Sequence, residues 1–171
     1  MKKHILYFVF VFCLVAVSAC KKDTAAPVAA TPALGGIKKV LGFDATAVMA
    51  GTPLVAGTPV VPVKCQTAAY TAGDGEVAVI SINASLFPSV TANTLFQLAA
   101  TVDIDNSGTF TPISNLAMGN MSGGAVCLSV AKVYPLTAGK SYVFASEWSV
   151  TVGTVNATKS VGSATVLIIK Q

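Results

Sequence analysis

From residue 57 onward, apolar and polar positions alternate with a period of two, broken at short intervals by Gly, Pro, Asn and Asp. Leu95 to Ile104 is the clearest run. Phe96, Leu98, Ala100, Val102 and Ile104 fall on one face, with Gln97, Thr101 and Asp103 on the other. That alternation predicts a strand buried on one side. Asn106-Ser107-Gly108 then predicts a turn, and Thr109 to Ile113 the returning arm of a hairpin. Glu76 to Asn83 is apolar on both faces, as a central strand would be. Ala125 to Val133 places Val126, Leu128 and Val130 together, and Lys140 to Val152 does the same for Tyr142, Phe144, Trp148, Val150 and Val152. Ala164 to Ile169 is a last apolar run. Short strands between turns, with no long helical period, predict an all-β antiparallel sandwich over residues 63–171.

The segment before it is less regular. Across 37–49, Ile37, Val40 and Leu41 would share a helical face, yet Gly42 interrupts a short run. A tandem repeat follows, Ala50-Gly-Thr-Pro-Leu-Val55 and then Ala56-Gly-Thr-Pro-Val-Val61. Two copies are too few for a solenoid, and a proline in each excludes a central strand. Residues 37–62 are therefore expected to be an extended Pro/Gly/Thr segment or an edge strand. Residues 21–36, rich in Ala and Pro and ending in Gly35-Gly36, have the composition of a linker.

Composition narrows the chemistry. Charged residues make up 11% of the chain, against a usual ~25%. There is no arginine, so no bidentate fork for phosphate or carboxylate. The net charge of +4 shows no clustered basic face, and nucleic acid is not an expected partner. The one histidine, His4, lies in the leader described below, which leaves no imidazole for Ser-His-Asp or Cys-His catalysis. No enzyme activity and no cofactor or metal is expected.

Each remaining cluster has a plainer explanation. Asp103, Asp105 and Ser107 followed by Gly108 match the start of a calcium loop, but position 12 is Ser114 rather than glutamate. The aspartates more simply end a hairpin. Asp74, Glu76 and Glu147 are the carboxylates open to a glycosidase-like pair, with nothing in the sequence to bring them together. Met118 and Met121 are soft ligands in a Gly-rich loop. Trp148, alternating with Phe144 and Val150, is expected in the core. Tyr70 and Tyr134, near strand ends, are the candidates for an exposed, ligand-facing aromatic.

The first twenty residues carry a resemblance. Lys2 and Lys3, an apolar stretch from Ile5 to Val17 and small residues before Cys20 have the layout of a secretory signal. The apolar run is shorter than the ~20 residues of a membrane span. Val17-Ser18-Ala19-Cys20 resembles the lipobox of bacterial lipoproteins. The resemblance implies cleavage after Ala19 (leader 1–19), lipid on Cys20, and residues 20–36 as a tether. It also implies an outer-membrane location, because Lys21 stands where an inner-membrane retention aspartate would be. Asp23-Thr24-Ala25 resembles an O-glycosylation triplet of such envelopes.

With Cys13 in the leader and Cys20 lipidated, Cys65 and Cys127 remain. An envelope location permits a disulfide between them, contributing about 4 kcal/mol in the chain-entropy account. The alternative is two buried free thiols acting as small apolar residues. Finally, Leu136-Thr-Ala-Gly139-Lys-Ser-Tyr142 resembles the tyrosine corner of immunoglobulin-like and fibronectin type III domains. By that likeness Leu136 and Gly139 shape a turn, and the Tyr142 hydroxyl bonds back to the main chain. The expected whole is a membrane-anchored, non-catalytic binding or adhesion module for a glycan or envelope protein. A subunit of a surface polymer is the alternative.

Overall fold

A computed structural model describes residues 36–49, 51–88, 94–122 and 124–171. The leader, Cys20, the tether and the Asp23-Thr24-Ala25 triplet lie outside them. The fold is all-β and antiparallel, as the alternation predicts.

The first sheet has four strands: β1 (Ile37–Thr46), β4 (Glu76–Pro88), β8 (Val126–Pro135) and β11 (Ala157–Lys170). Their order is β1-β11-β4-β8. The second sheet has β3 (Tyr70–Thr71), β5 (Leu95–Ile104), β6 (Thr111–Pro112) and β9 (Ser141–Val150) in the order β3-β9-β5-β6. β7 (Ala117–Asn120) shares the outer edge of β5 with β6. A small ribbon joins β2 (Leu54–Val55) to β10 (Thr154–Val155). Among the described residues no helix is long and apolar enough to cross a membrane.

Period-two patterning explains the core. On the first sheet Ala78, Ile80, Ile82, Val166 and Ile168 point inward and are buried. On the second, Phe96, Leu98, Val102, Phe144, Trp148 and Val150 face them. Trp148 is fully buried, meets Phe96 edge-to-face at 5.4 Å, and donates its indole N–H to Ser146 Oγ at 2.8 Å. Burying an apolar side chain of this size contributes on the order of 1.5–3 kcal/mol.

Several details refine or correct the sequence expectation. Residues 37–46 form an edge strand, one of the two alternatives held for residues 37–62, and it belongs to the first sheet. Pairing with β11 along its whole length decides this. β5 is buried on both sides, since Ala99 and Thr101 are as enclosed as Phe96. Ile104, placed with the core by alternation, is at the strand end and 37% exposed. β4 is central, yet Ser81 and Asn83 leave its outer face polar and exposed.

The tandem repeat has a clear physical meaning. In each copy glycine takes a positive φ of 75° (Gly51, Gly57), and the following threonine N–H closes a turn onto Met49 O or Val55 O at 3.1 Å. This geometry matches a type II turn, which needs φ > 0 at its third residue. Each proline then launches an apolar pair, Leu54-Val55 into β2 and Val60-Val61 against β9. Val60 exchanges both backbone hydrogen bonds with Trp148 (2.9 and 2.8 Å).

Cys65 occupies a short 3-10 turn, Val63–Cys65, and is fully buried against β11. Gly162 makes room for it. A Cβ there would lie 2.6 Å from Cys65 Sγ and 3.1 Å from Trp148 Cζ2. Gly162→Ala is therefore expected to cost about 1–3 kcal/mol through overpacking. Urea unfolding reads this directly, and an unchanged midpoint would contradict the packing.

Candidate functional site

One end of the sandwich gathers most of the polar and aromatic candidates. There the β3–β4 turn, the β5–β6 turn and the β8–β9 turn meet around Tyr142. Gly139, at φ 79°, lets the β8–β9 turn close tightly. Its N–H donates to Ala72 O at 2.8 Å, and Ala72 N–H donates to Lys140 O at 2.9 Å. Thr137 N–H donates to the Tyr142 hydroxyl at 2.8 Å, and Leu136 packs on the core beside it. Leu136, Gly139 and Tyr142 thus form one hydrogen-bonded corner.

Tyr70 and Tyr134 flank that corner. Tyr70 lies opposite Tyr142 in the β3–β9 pairing, and Tyr134 meets Tyr142 edge-to-face at 6.3 Å. Both are half-buried rather than presented as a flat platform. The Tyr70 hydroxyl donates to Glu76 Oε2 at 2.8 Å, and Gly73 N–H donates to the same oxygen at 2.7 Å. Partial burial and the adjacent carboxylate both push the Tyr70 pKa up. Burial likewise raises that of Tyr134, with Tyr142 adding to it.

The aspartates are engaged as well. Asp103 Oδ1 accepts from Ser107 N–H (2.9 Å) and Ser107 Oγ (2.7 Å), while Oδ2 accepts from Gly108 N–H (2.9 Å). Asp105 pairs with Lys140 and accepts from Ser141 N–H. The Lys140 hydrogen bond holds the Asp105 carboxyl below its usual range. Oxygens already satisfied by protein donors are poor calcium ligands, so this loop is a locked hairpin end. Among the described residues no three His, Cys, Asp or Glu side chains gather as a metal site.

The other clusters come apart. Met121 is fully buried, whereas Met118 is exposed with Gln97 Nε2 donating to its sulfur at 3.6 Å, so the thioethers do not converge. Glu76 is tied to Tyr70 at the loop end, and Glu147 stands on the outward side of β9 opposite Ala99. The Cys65–Cys127 disulfide is corrected: both thiols are free. Val126, Leu128 and Val130 point inward from β8, so the same alternation turns Cys127 to solvent, where Ser85 Oγ donates to its sulfur at 3.1 Å. Cys65 is enclosed, and burial pushes its thiol pKa up.

A second feature was not evident from the sequence. An apolar groove of about 320 Å³ opens beside the first repeat turn, lined by Val48, Met49, Thr52, Val60, Val61 and Pro62, with Val63 and Lys64. It has no carboxylate and no hydroxyl but that of Thr52, so it can hold apolar groups and has no acid–base pair. The signal available was the apolar Val60-Val61-Pro62 run that closes the second copy of the repeat.

Comparison with known proteins adds little. No protein family matches the chain, and no curated protein does. Among solved structures, the crystal structure of murine APRIL at pH 5.0 is similar over 78% of this chain and 100% of that chain. The identity is 15% and the TM-score 0.36.

Glu147 yields a pH test. Partial burial raises its carboxyl pKa on folding. A raised folded pKa stabilises the fold below the unfolded pKa, and that stability is lost as pH rises through the folded pKa. Glu147→Gln is therefore expected to raise Tm near pH 7 and leave it unchanged below about pH 3.5, where glutamate is protonated. Equal Tm values near neutrality would contradict the burial.

Proposed function

We propose that this chain is a lipid-anchored protein of the bacterial cell envelope whose sandwich is a non-catalytic binding or adhesion module. What supports the anchor is Val17-Ser18-Ala19-Cys20 behind a basic and apolar leader. Two or more acyl chains on one residue hold a protein stably on a bilayer. An outer-membrane location is the part of this reading that rests on Lys21 alone.

The observation that carries the non-catalytic reading is the engagement of the loop-end carboxylates. Glu76, Asp103 and Asp105 each accept hydrogen bonds from neighbouring donors, which leaves no pair among these three free to exchange protons with a substrate. The groove by Val60–Pro62 favours a protein ligand over a glycan, because its lining offers apolar contact and few hydrogen bonds. The glycan reading keeps Tyr70 and Tyr134 as its contacts.

The kinship with immunoglobulin-like and fibronectin type III-like domains is carried by the Thr137–Tyr142 bond. In those domains the final strand joins the sheet of strands C and F. Here β11 joins β1 and β4, so we propose a sandwich of that general type with a changed strand order.

A polymer subunit is the second reading. β1 is an edge strand bonded only to β11, so its removal would uncover a long backbone edge able to accept another chain's strand.

Affinity capture from intact cells with the native anchor tests these together. An envelope protein captured by the native chain and lost with Val61→Asp, with folding kept, is expected. Glycan-array binding lost on replacing Tyr70 or Tyr134 would move the ligand to the other end. A ladder of high-mass species in unboiled membrane extracts would favour the polymer. An unmodified Cys20 in the mass spectrum of the native protein would overturn the anchor.

A further inference from the structure

The groove beside the first repeat turn has two polar features that its apolar lining does not explain. The first is a stretch of backbone. Val60 turns both its N–H and its C=O to Trp148 of β9. Val61 precedes Pro62, which favours extended backbone there, so its own N–H and C=O face the opposite side, away from β9. Neither has a hydrogen-bond partner among the described residues. Pro59 and Pro62 carry no N–H, and Pro62 O accepts from Cys65 N–H at 2.9 Å. The open edge is therefore one residue long, enough for a single bridge and too short to seed a sheet.

The second feature is a charge. Lys64 is the one charged residue of the lining, is exposed, and forms no ion pair among the described residues. Val63 before it is 84% exposed, so apolar surface continues outward next to the ammonium group.

Together these select the ligand. A fatty-acid carboxylate can meet Lys64, but it only accepts hydrogen bonds and leaves the Val61 C=O unpaired. An extended peptide supplies both a donor and an acceptor from one residue, as in strand addition. A residue bridged to Val61 puts its side chain on the same face as that of Val61, itself part of the groove lining. Residues two positions away lie on that face too, where a carboxylate complements Lys64. We propose that this groove binds an extended peptide segment with an apolar side chain and, two residues from it, a carboxylate. The bridge at Val61 sets the register, the apolar side chain fills the groove and Lys64 reads the acid. This deepens the protein-ligand reading and rests on it.

The test titrates the chain from residue 20, which keeps every described residue, with the probe acetyl-Asp-Thr-Leu-Thr-Asp-amide, followed by amide NMR. An acid on each side of the leucine makes the probe indifferent to strand direction. Saturable shifts of the Val61 and Lys64 amides are expected, with the Tyr70 amide unmoved. Replacing both acids of the probe by Asn is expected to weaken binding about threefold, and Lys64→Gln, at an exposed position, to erase that difference. N-methylation of the probe leucine removes the donor to Val61 O and is expected to cost about tenfold. No saturable shift at Val61, or equal binding of the Asp and Asn probes, would overturn the proposal. Laurate that saturates the Val61 shift where the peptide does not would assign the groove to a fatty acid and overturn it equally. Capture from cells is read separately: an envelope protein lost with Val61→Asp, beside a probe that fails, would keep the protein-ligand reading and remove this one.

Discussion

The backbone ladder of β11 is the constraint on which the rest of the structure depends. The last strand lies between β1 and β4, bonded to the first along Thr46–Ile37 and to the second along Pro88–Glu76. Its inward residues Val166 and Ile168 complete the core, and its Gly162 admits Cys65 and Trp148 at van der Waals limits. A central strand made last leaves the first sheet as separate pieces until the whole chain is present. Such non-local pairing folds slowly, because loop closure precedes the contacts that reward it.

The two ends of the sandwich solve different problems. At the Tyr142 end, side-chain acceptors lock the turns: Glu76 on Gly73 and Tyr70 and Asp103 on Ser107 and Gly108 each within one turn, and Asp105 on Lys140 and Ser141 from one turn to the next. Buried or half-buried polar groups cost stability unless hydrogen-bonded, and here each carboxylate satisfies several donors. Residues with the appearance of chemistry are thereby spent on structure. At the side of the repeat the surface is apolar and open.

How much of this was legible follows from which force decides each element. Period-two alternation located β5, β8 and β9, because burial on one face is a local property of the side chains. It placed Trp148 correctly in the core for the same reason. Alternation also contained the answer for Cys127: with Val126 and Leu128 inward, an odd position between them points to solvent and cannot meet a buried Cys65. Cysteine counting ignored that parity. β1 was legible only as one of two alternatives, because an edge strand paired on one side shows no strong pattern, and pairing with β11 decides it. The repeat was visible, but its role rests on Gly51 and Gly57 at positive φ, a conformation and not a composition.

Amide hydrogen exchange of the mature chain tests the centrality of β11 most directly. The amides of Val166, Leu167 and Ile168 are expected among the slowest in the protein, opening only with global unfolding. Exchange at those positions as fast as in the turns would mean that the last strand is a detachable edge, and would contradict the account.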